Sequence, residues 1–344
     1  MSHKLKTEKK KVSSALNIIL LVLVTGIVLY FSLKDDYQMI LHEIFTMNLW
    51  WLLIGVLSVL GCYYLRSISL HILIRKFTDK YSFKKAFKLT LTTQFLNGVT
   101  PFATGGQPFQ VYILKKDGIR IGDGTNIIMQ NFIVYQIALV LLGVLAISYN
   151  FFFHIFEESG ILRDLTTVGF IINTLVTVGL FVIAFAKNFN RFIIRKTVSL
   201  MYRLHIIKNK ETVMDKMSDS IENFHDGAKL LMKDKKSFIY NIFLNFLSLV
   251  CLYLVPLTII YGMGVTDAFT GVESVVASAY VMLIGAFVPI PGGTGGLEYS
   301  YMAFYGNFIK GSVLNASMIM WRFLTYYLGM IVGGITLNLK GRKK

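Results

Sequence analysis

Pro101-Phe102-Ala103-Thr104-Gly105-Gly106 decides how this chain is read, because it has a near copy at Pro291-Gly292-Gly293-Thr294-Gly295-Gly296. Each copy keeps the spacing Pro-x-x-Thr-Gly-Gly and sits between two apolar arms. Proline lacks an N–H, and glycine admits backbone angles that other residues resist, so both stretches should break a helix. The arm from Leu89 to Pro101 has thirteen residues, which as a helix reaches about 20 Å against roughly 30 Å of hydrocarbon. Broken backbone at membrane depth survives only where it is buried in protein or lines a polar cavity. Two such breaks in corresponding places are the pattern of a transporter built from related halves.

The surrounding sequence fixes the class. Over 344 residues, 54% are hydrophobic and the mean hydropathy is +0.59, so the expectation is an all-α polytopic membrane protein. Full spans are expected at Ala15–Leu33, Leu49–Ile74, Ile121–Tyr149, Leu165–Ala186, Phe238–Met263 and Val313–Leu339. The two broken stretches then form re-entrant hairpins: one over 86–116, the other with arms Ser274–Pro289 and Leu297–Ile309. Segment 187–236 is the one sizeable polar stretch. Within it Met214, Met217, Ile221, Phe224, Ala228 and Leu231 make one helical stripe, suited to packing, to the membrane surface or to a partner.

Charge gives the orientation. With both termini cytoplasmic, three of the 35 Lys/Arg (Lys34, Arg163, Lys310) fall outside and two (Arg66, Arg322) within spans, leaving 30 on the cytoplasmic side. The net charge of +16 is therefore a topology signal in a cell membrane, and nucleic acid is not needed to explain it. That topology makes residues 12–150 and 161–340 an inverted repeat within a single domain. Cys62-Tyr63-Tyr64-Leu65 also echoes Cys251-Leu252-Tyr253-Leu254. Those copies lie 189 positions apart (251 − 62) and the hairpin motifs 190 (291 − 101).

Candidate functional residues follow from the cost of polarity in hydrocarbon. Arg66, Arg322 and Glu298 are charges at span depth, where each needs a partner or water. Glu298 either pairs with Arg322 or Arg66 to hold a hairpin to a helix, or faces a cavity with them. Gln94, Asn97, Thr100, Thr104, Gln107 and Gln110 cluster around the first break. Gln130, Asn131 and Gln136 lie in the third span and Asn245 in the fifth. Such side chains often only join helices. The glycines 105, 106, 292, 293, 295 and 296, with Pro101, Pro291 and Thr294, could expose N–H groups to a headgroup phosphate. Lys84, Lys85, Lys88, Lys115 and Lys116 ring the cytoplasmic mouth, where they signal topology or gather anionic lipid. No phosphate-binding loop, nucleophile–base pair or metal-ligand spacing stands out, so no cofactor, metal or catalytic residue is assigned. The histidines are scattered, and both cysteines lie in apolar runs.

The residues also carry a resemblance. Phe95-Leu96-Asn97-Gly98-x-Thr100-Pro101-Phe102-Ala103-Thr104-Gly105-Gly106-Gln107-Pro108, running into Tyr112-x-Leu114-Lys115, resembles the first signature of the lysylphosphatidylglycerol synthase transmembrane (flippase-like) family. Val288-Pro289-Ile290-Pro291-Gly292-Gly293-Thr294-Gly295-Gly296-Leu297-Glu298 resembles the second, and Trp321-Arg322 fits the last helix. The likeness covers nearly the whole chain. It implies a membrane domain that moves an aminoacylated phosphatidylglycerol across the bilayer and aids resistance to cationic antimicrobial peptides. In the full-length family enzyme, that domain is joined to a cytosolic one that uses aminoacyl-tRNA. The sequence runs to Lys344, just past the last span, so the expectation is a membrane domain without the cytosolic one. The expectation is thus a lipid translocase, with a separate synthase or a second copy as possible partner. The alternatives are a membrane-embedded transferase using Glu298 as base, or an accessory subunit holding a partner through residues 209–232.

Overall fold

A computed structural model describes residues 37–156, 160–204, 207, 209–285, 288 and 290–339. Every element among them is helical. The expected first span, Ala15–Leu33, lies outside the described residues. The other five expected spans all appear as helices long and apolar enough to cross a membrane.

In chain order, α1 (Tyr37–Thr46) leads into α2 (Leu49–Arg75), whose first turn is capped by Asn48, its Oδ1 accepting from Trp50 N at 2.9 Å. Next come α3 (Phe83–Gly98), a 3₁₀ turn (Pro101–Ala103) and α4 (Gly106–Lys116). The long α5 (Ile121–Phe153) starts at an Arg120–Asp123 pair 2.8 Å apart and stops where His154 turns left-handed. The α6 helix (Gly160–Phe185) is the next span. The polar segment is two helices, α7 (Lys187–Arg203) and α8 (Lys210–Lys233). Helix α8 lies on the protein itself, against α5, α6 and α7. There His225 Nδ1 donates to Ala184 O at 2.8 Å.

The fifth span is broken. Helix α9 (Lys235–Tyr253) ends one residue before α10 (Val255–Gly262), where Pro256 has no N–H to continue the ladder. Helix α11 (Gly271–Gly285), a second 3₁₀ turn (Pro291–Gly293) and α12 (Gly296–Tyr305) follow. The last span is α13 (Gly311–Arg322), a π segment (Phe323–Tyr327) and α14 (Leu328–Leu339). A π segment inserts an extra residue into the turn and re-aims the side chains around it.

Helices α3, α4, α11 and α12 have 16, 11, 15 and 10 residues. At 1.5 Å per residue they are about 15–24 Å long, short of a ~30 Å hydrocarbon core. Within each pair the two helices pack on each other, and the two 3₁₀ turns touch. The sequence GxxxG at Gly329–Gly333 lets α14 press against α3. A Cβ on Gly333 would meet Leu91 O at 2.5 Å.

Contacts between helix ends sort them into two groups. Glu43 with Ser312, and Asn48 with Gly262, gather at one end of the bundle. Lys76 with Asp234, and Lys85 with Asp117, both 3.3 Å apart, gather at the other.

Candidate functional site

The first tip is closed on itself. Its turn puts Ala103 at φ 53°, left-handed for a residue with a Cβ. Ala103 N donates to Thr100 O and Thr104 N to Pro101 O. Gly105 N donates to Thr100 Oγ1 at 2.9 Å and Gly106 N to Asn97 Oδ1 at 3.0 Å. Four successive N–H groups, the natural donors for an anion at this tip, are therefore taken by the protein. A Cβ on Gly106 would sit 2.2 Å from Asn97 Oδ1, so the glycine is what lets Asn97 reach the helix start. Asn97→Ala should cost about 1 kcal/mol of stability, as lost helix caps do, read as a lower melting temperature in detergent. Ala103 and Thr104 are exposed, while Gly105 and Gln107 are half-buried.

The second tip is built around an ion pair. Arg322, delivered by α13, donates through Nε to Glu298 Oε1 at 2.6 Å. Its Nη2 donates to Gly292 O at 3.0 Å and to Thr294 Oγ1 at 3.3 Å. The other carboxylate oxygen, Glu298 Oε2, accepts from Gly295 N at 2.6 Å. Both side chains are enclosed, at 6% and 7% exposure. The guanidinium lies 4.8 Å from the centre of the Tyr326 ring, and Tyr326 Oη donates to Gly98 O at 2.8 Å. One tyrosine from the π segment therefore ties the arginine of the second tip to the base of the first.

Arg66 stands apart from that pair. It lies nine residues before the Arg75 end of α2, about 14 Å along the helix. Its Nε faces Ser248 Oγ at 3.4 Å, and its guanidinium lies 5.2 Å from the Tyr135 ring centre. Cys62, Tyr63, Tyr135 and Tyr253 are its electrostatic neighbours, and among the described residues no carboxylate pairs with it. Towards the Arg75 end runs a polar seam between α2, α5 and α9. Ser69 Oγ donates to Asn241 Oδ1 at 2.8 Å, lies 3.5 Å from Asn131 Oδ1 and accepts from Asn245 Nδ2 at 2.9 Å.

Of the remaining candidates, Gln94 is half-buried and Nε2 donates to Thr90 O at 3.3 Å, which is bonding within its own helix. Gln110 and Gln130 are buried, and among the described residues neither side-chain polar atom of Gln130 finds a partner. Lys84, Lys85, Lys88, Lys115 and Lys116 are all exposed; Lys85 pairs with Asp117. Among the described residues no three of His, Cys, Asp and Glu come together as metal ligands would.

The family profile described as the lysylphosphatidylglycerol synthase TM region matches residues 17–333. The chain belongs to that family. It is also similar to a UPF0104 membrane protein of Archaeoglobus fulgidus, 25% identical over 299 residues, covering 84% of this chain and 86% of the relative.

Within this lysylphosphatidylglycerol synthase TM region, sequence reasoning missed Ser69, Tyr135, Asn241, Ser248, Tyr253 and Tyr326. The first group had a signal: Asn241, Asn245 and Ser248 step by four and three along an otherwise apolar span, a polar stripe at helical spacing. Tyr326 had none, because its direction depends on the π segment. Chemically the family's motif glycines do not offer a ready phosphate cradle here. The N–H groups of Gly105, Gly106, Gly293 and Gly295 are occupied, and Glu298, with both oxygens engaged, is poorly placed to act as a base.

Proposed function

We propose that this membrane domain translocates a lipid headgroup, such as that of an anionic or aminoacylated phosphatidylglycerol, between leaflets. In this reading there are six spans, the first at 15–33, and two re-entrant hairpins entering from opposite faces. Both termini lie in the cytoplasm of a cell bounded by this membrane, and residues 12–150 and 161–340 form an inverted repeat.

The observation that carries it is the meeting of two helix pairs, each too short to cross, at Pro101–Ala103 and Pro291–Gly293. Packing supports the repeat. Helix α3 against α14 is answered by α11 against α5, and α4 against α5 by α12 against α13. Likewise α2 against α5 is answered by α10 against α13, and α2 meets α9 across the centre. There Ser58 Oγ donates to Cys251 O at 2.7 Å, beside the two echoing tetrapeptides. Discontinuous helices whose tips meet between repeats are how transporters place a polar passage inside hydrocarbon.

The test is reconstitution into phosphatidylcholine vesicles carrying a trace of fluorescent phosphatidylglycerol. Dithionite added outside bleaches only outer-leaflet label unless lipid exchanges. Vesicles with protein should lose label beyond the outer-leaflet share. Identical bleaching with and without protein would overturn the proposal.

A further inference from the structure

The two arginines at span depth divide the labour, and the geometry points to Arg66 as an anion-binding site for the phosphate of a lipid headgroup, while Arg322 is a structural latch. The inference rests on the translocation reading and deepens it by naming what the site holds.

Arg322 is committed to the second tip. Its Nε meets a carboxylate, its Nη2 a carbonyl and a hydroxyl, and its guanidinium an aromatic face. Turning it towards a ligand would break those contacts. Arg66 has the opposite balance. Among the described residues its one hydrogen bond is long, at 3.4 Å to a neutral hydroxyl, and its other contact is the face of Tyr135. An arginine at such depth costs several kcal/mol unless it is paired or hydrated. The residue as a whole is half-buried rather than sealed.

A second observation points the same way. The Tyr253 hydroxyl, in a residue 2% exposed, has no hydrogen-bond partner among the described residues, and Arg66 and Tyr135 are among its electrostatic neighbours. Leaving a buried hydroxyl unpaired is costly, and such groups call for an explanation. From α2, α5 and α9 the groups around Arg66 are Cys62, Tyr63, Tyr135, Ser248 and Tyr253. All are neutral, so the site holds one net positive charge and hydroxyl donors around it. That is the complement of a singly charged phosphodiester, which carries several acceptor oxygens and no donor.

The test uses the purified full chain in nonionic detergent, titrated with dioctanoyl phosphatidylglycerol, inorganic phosphate or dioctanoylglycerol, and followed by native mass spectrometry and melting temperature. Phosphatidylglycerol should bind best. Arg66→Gln should weaken it by about ten- to a hundredfold, the range for loss of a charge-assisted bond. Arg66→Lys should fall between, and Tyr253→Phe should weaken it severalfold. Without lipid, Arg66→Gln should melt no lower than the native chain, because it removes an uncompensated charge. Should Arg66→Gln melt far lower, Arg66→Lys and Tyr253→Phe carry the binding test.

Unchanged phosphatidylglycerol affinity in the folded variants would overturn the proposal. So would equal binding of dioctanoylglycerol, or inorganic phosphate binding as tightly as the lipid. A chain that binds phosphatidylglycerol through Arg66 but exchanges no lipid in vesicles would sink translocation and leave the site standing. Exchange undiminished in Arg66→Gln would do the reverse.

Discussion

Glu298→Ala should lower the free energy of unfolding by about 3–5 kcal/mol, the cost of stranding one member of a buried ion pair. The loss has two parts. Arg322 keeps Gly292 O, Thr294 Oγ1 and the Tyr326 face but loses its only anionic partner among the described residues. Gly295 N loses the acceptor that fixes the first turn of α12. Glu298→Gln should cost less, since an amide oxygen can still accept from Gly295. Arg322→Met added to Glu298→Ala should restore part of the loss, because the stranded charge goes with it. Unfolding in mixed detergent micelles reads all three. A loss under about 1 kcal/mol for Glu298→Ala would show that the pair is not holding the second tip.

That contrast separates two residues the sequence presents as equals. Arg66 and Arg322 are both arginines in apolar spans, and either could have been the partner of Glu298. Composition and spacing marked all three positions, the five helices long enough to cross, and both breaks. Facing was not legible. Which arginine meets the carboxylate depends on how α13 enters the π segment, and that irregularity leaves no pattern in Phe323–Tyr327. The tips show the same limit from the other side. Proline and glycine announced broken helix and so suggested free N–H groups. The acceptors that occupy them, Asn97 and Thr100, sit nine and five residues before the glycines they cap. Local propensity has no term for such a return. The apolar stripe of α8 leaves three readings open in sequence, and contacts with α5, α6 and α7 favour packing on the protein itself.

Gly292→Ala should be the most damaging change among the motif glycines, at about 3 kcal/mol from backbone strain and overpacking together. Gly292 has φ 68°, which a residue with a Cβ resists by about 1–2 kcal/mol. Its new Cβ would also lie 2.4 Å from the Tyr326 ring, a distance no real contact shows. Tyr326 must then swing away, giving up its bond to Gly98 O and its place over Arg322. Gly295→Ala isolates the strain: φ is 90° but nothing lies within 4 Å of the added carbon, so about 1–2 kcal/mol is expected. Tyr326→Phe isolates the hydrogen bond, at about 1 kcal/mol. The ranking matters more than the values. If Gly292→Ala melts no lower than Gly295→Ala, Tyr326 is free to move and the two tips are not clamped through it. If it melts well below, the bare Cα of Gly292 is what lets one tyrosine join the halves of the protein.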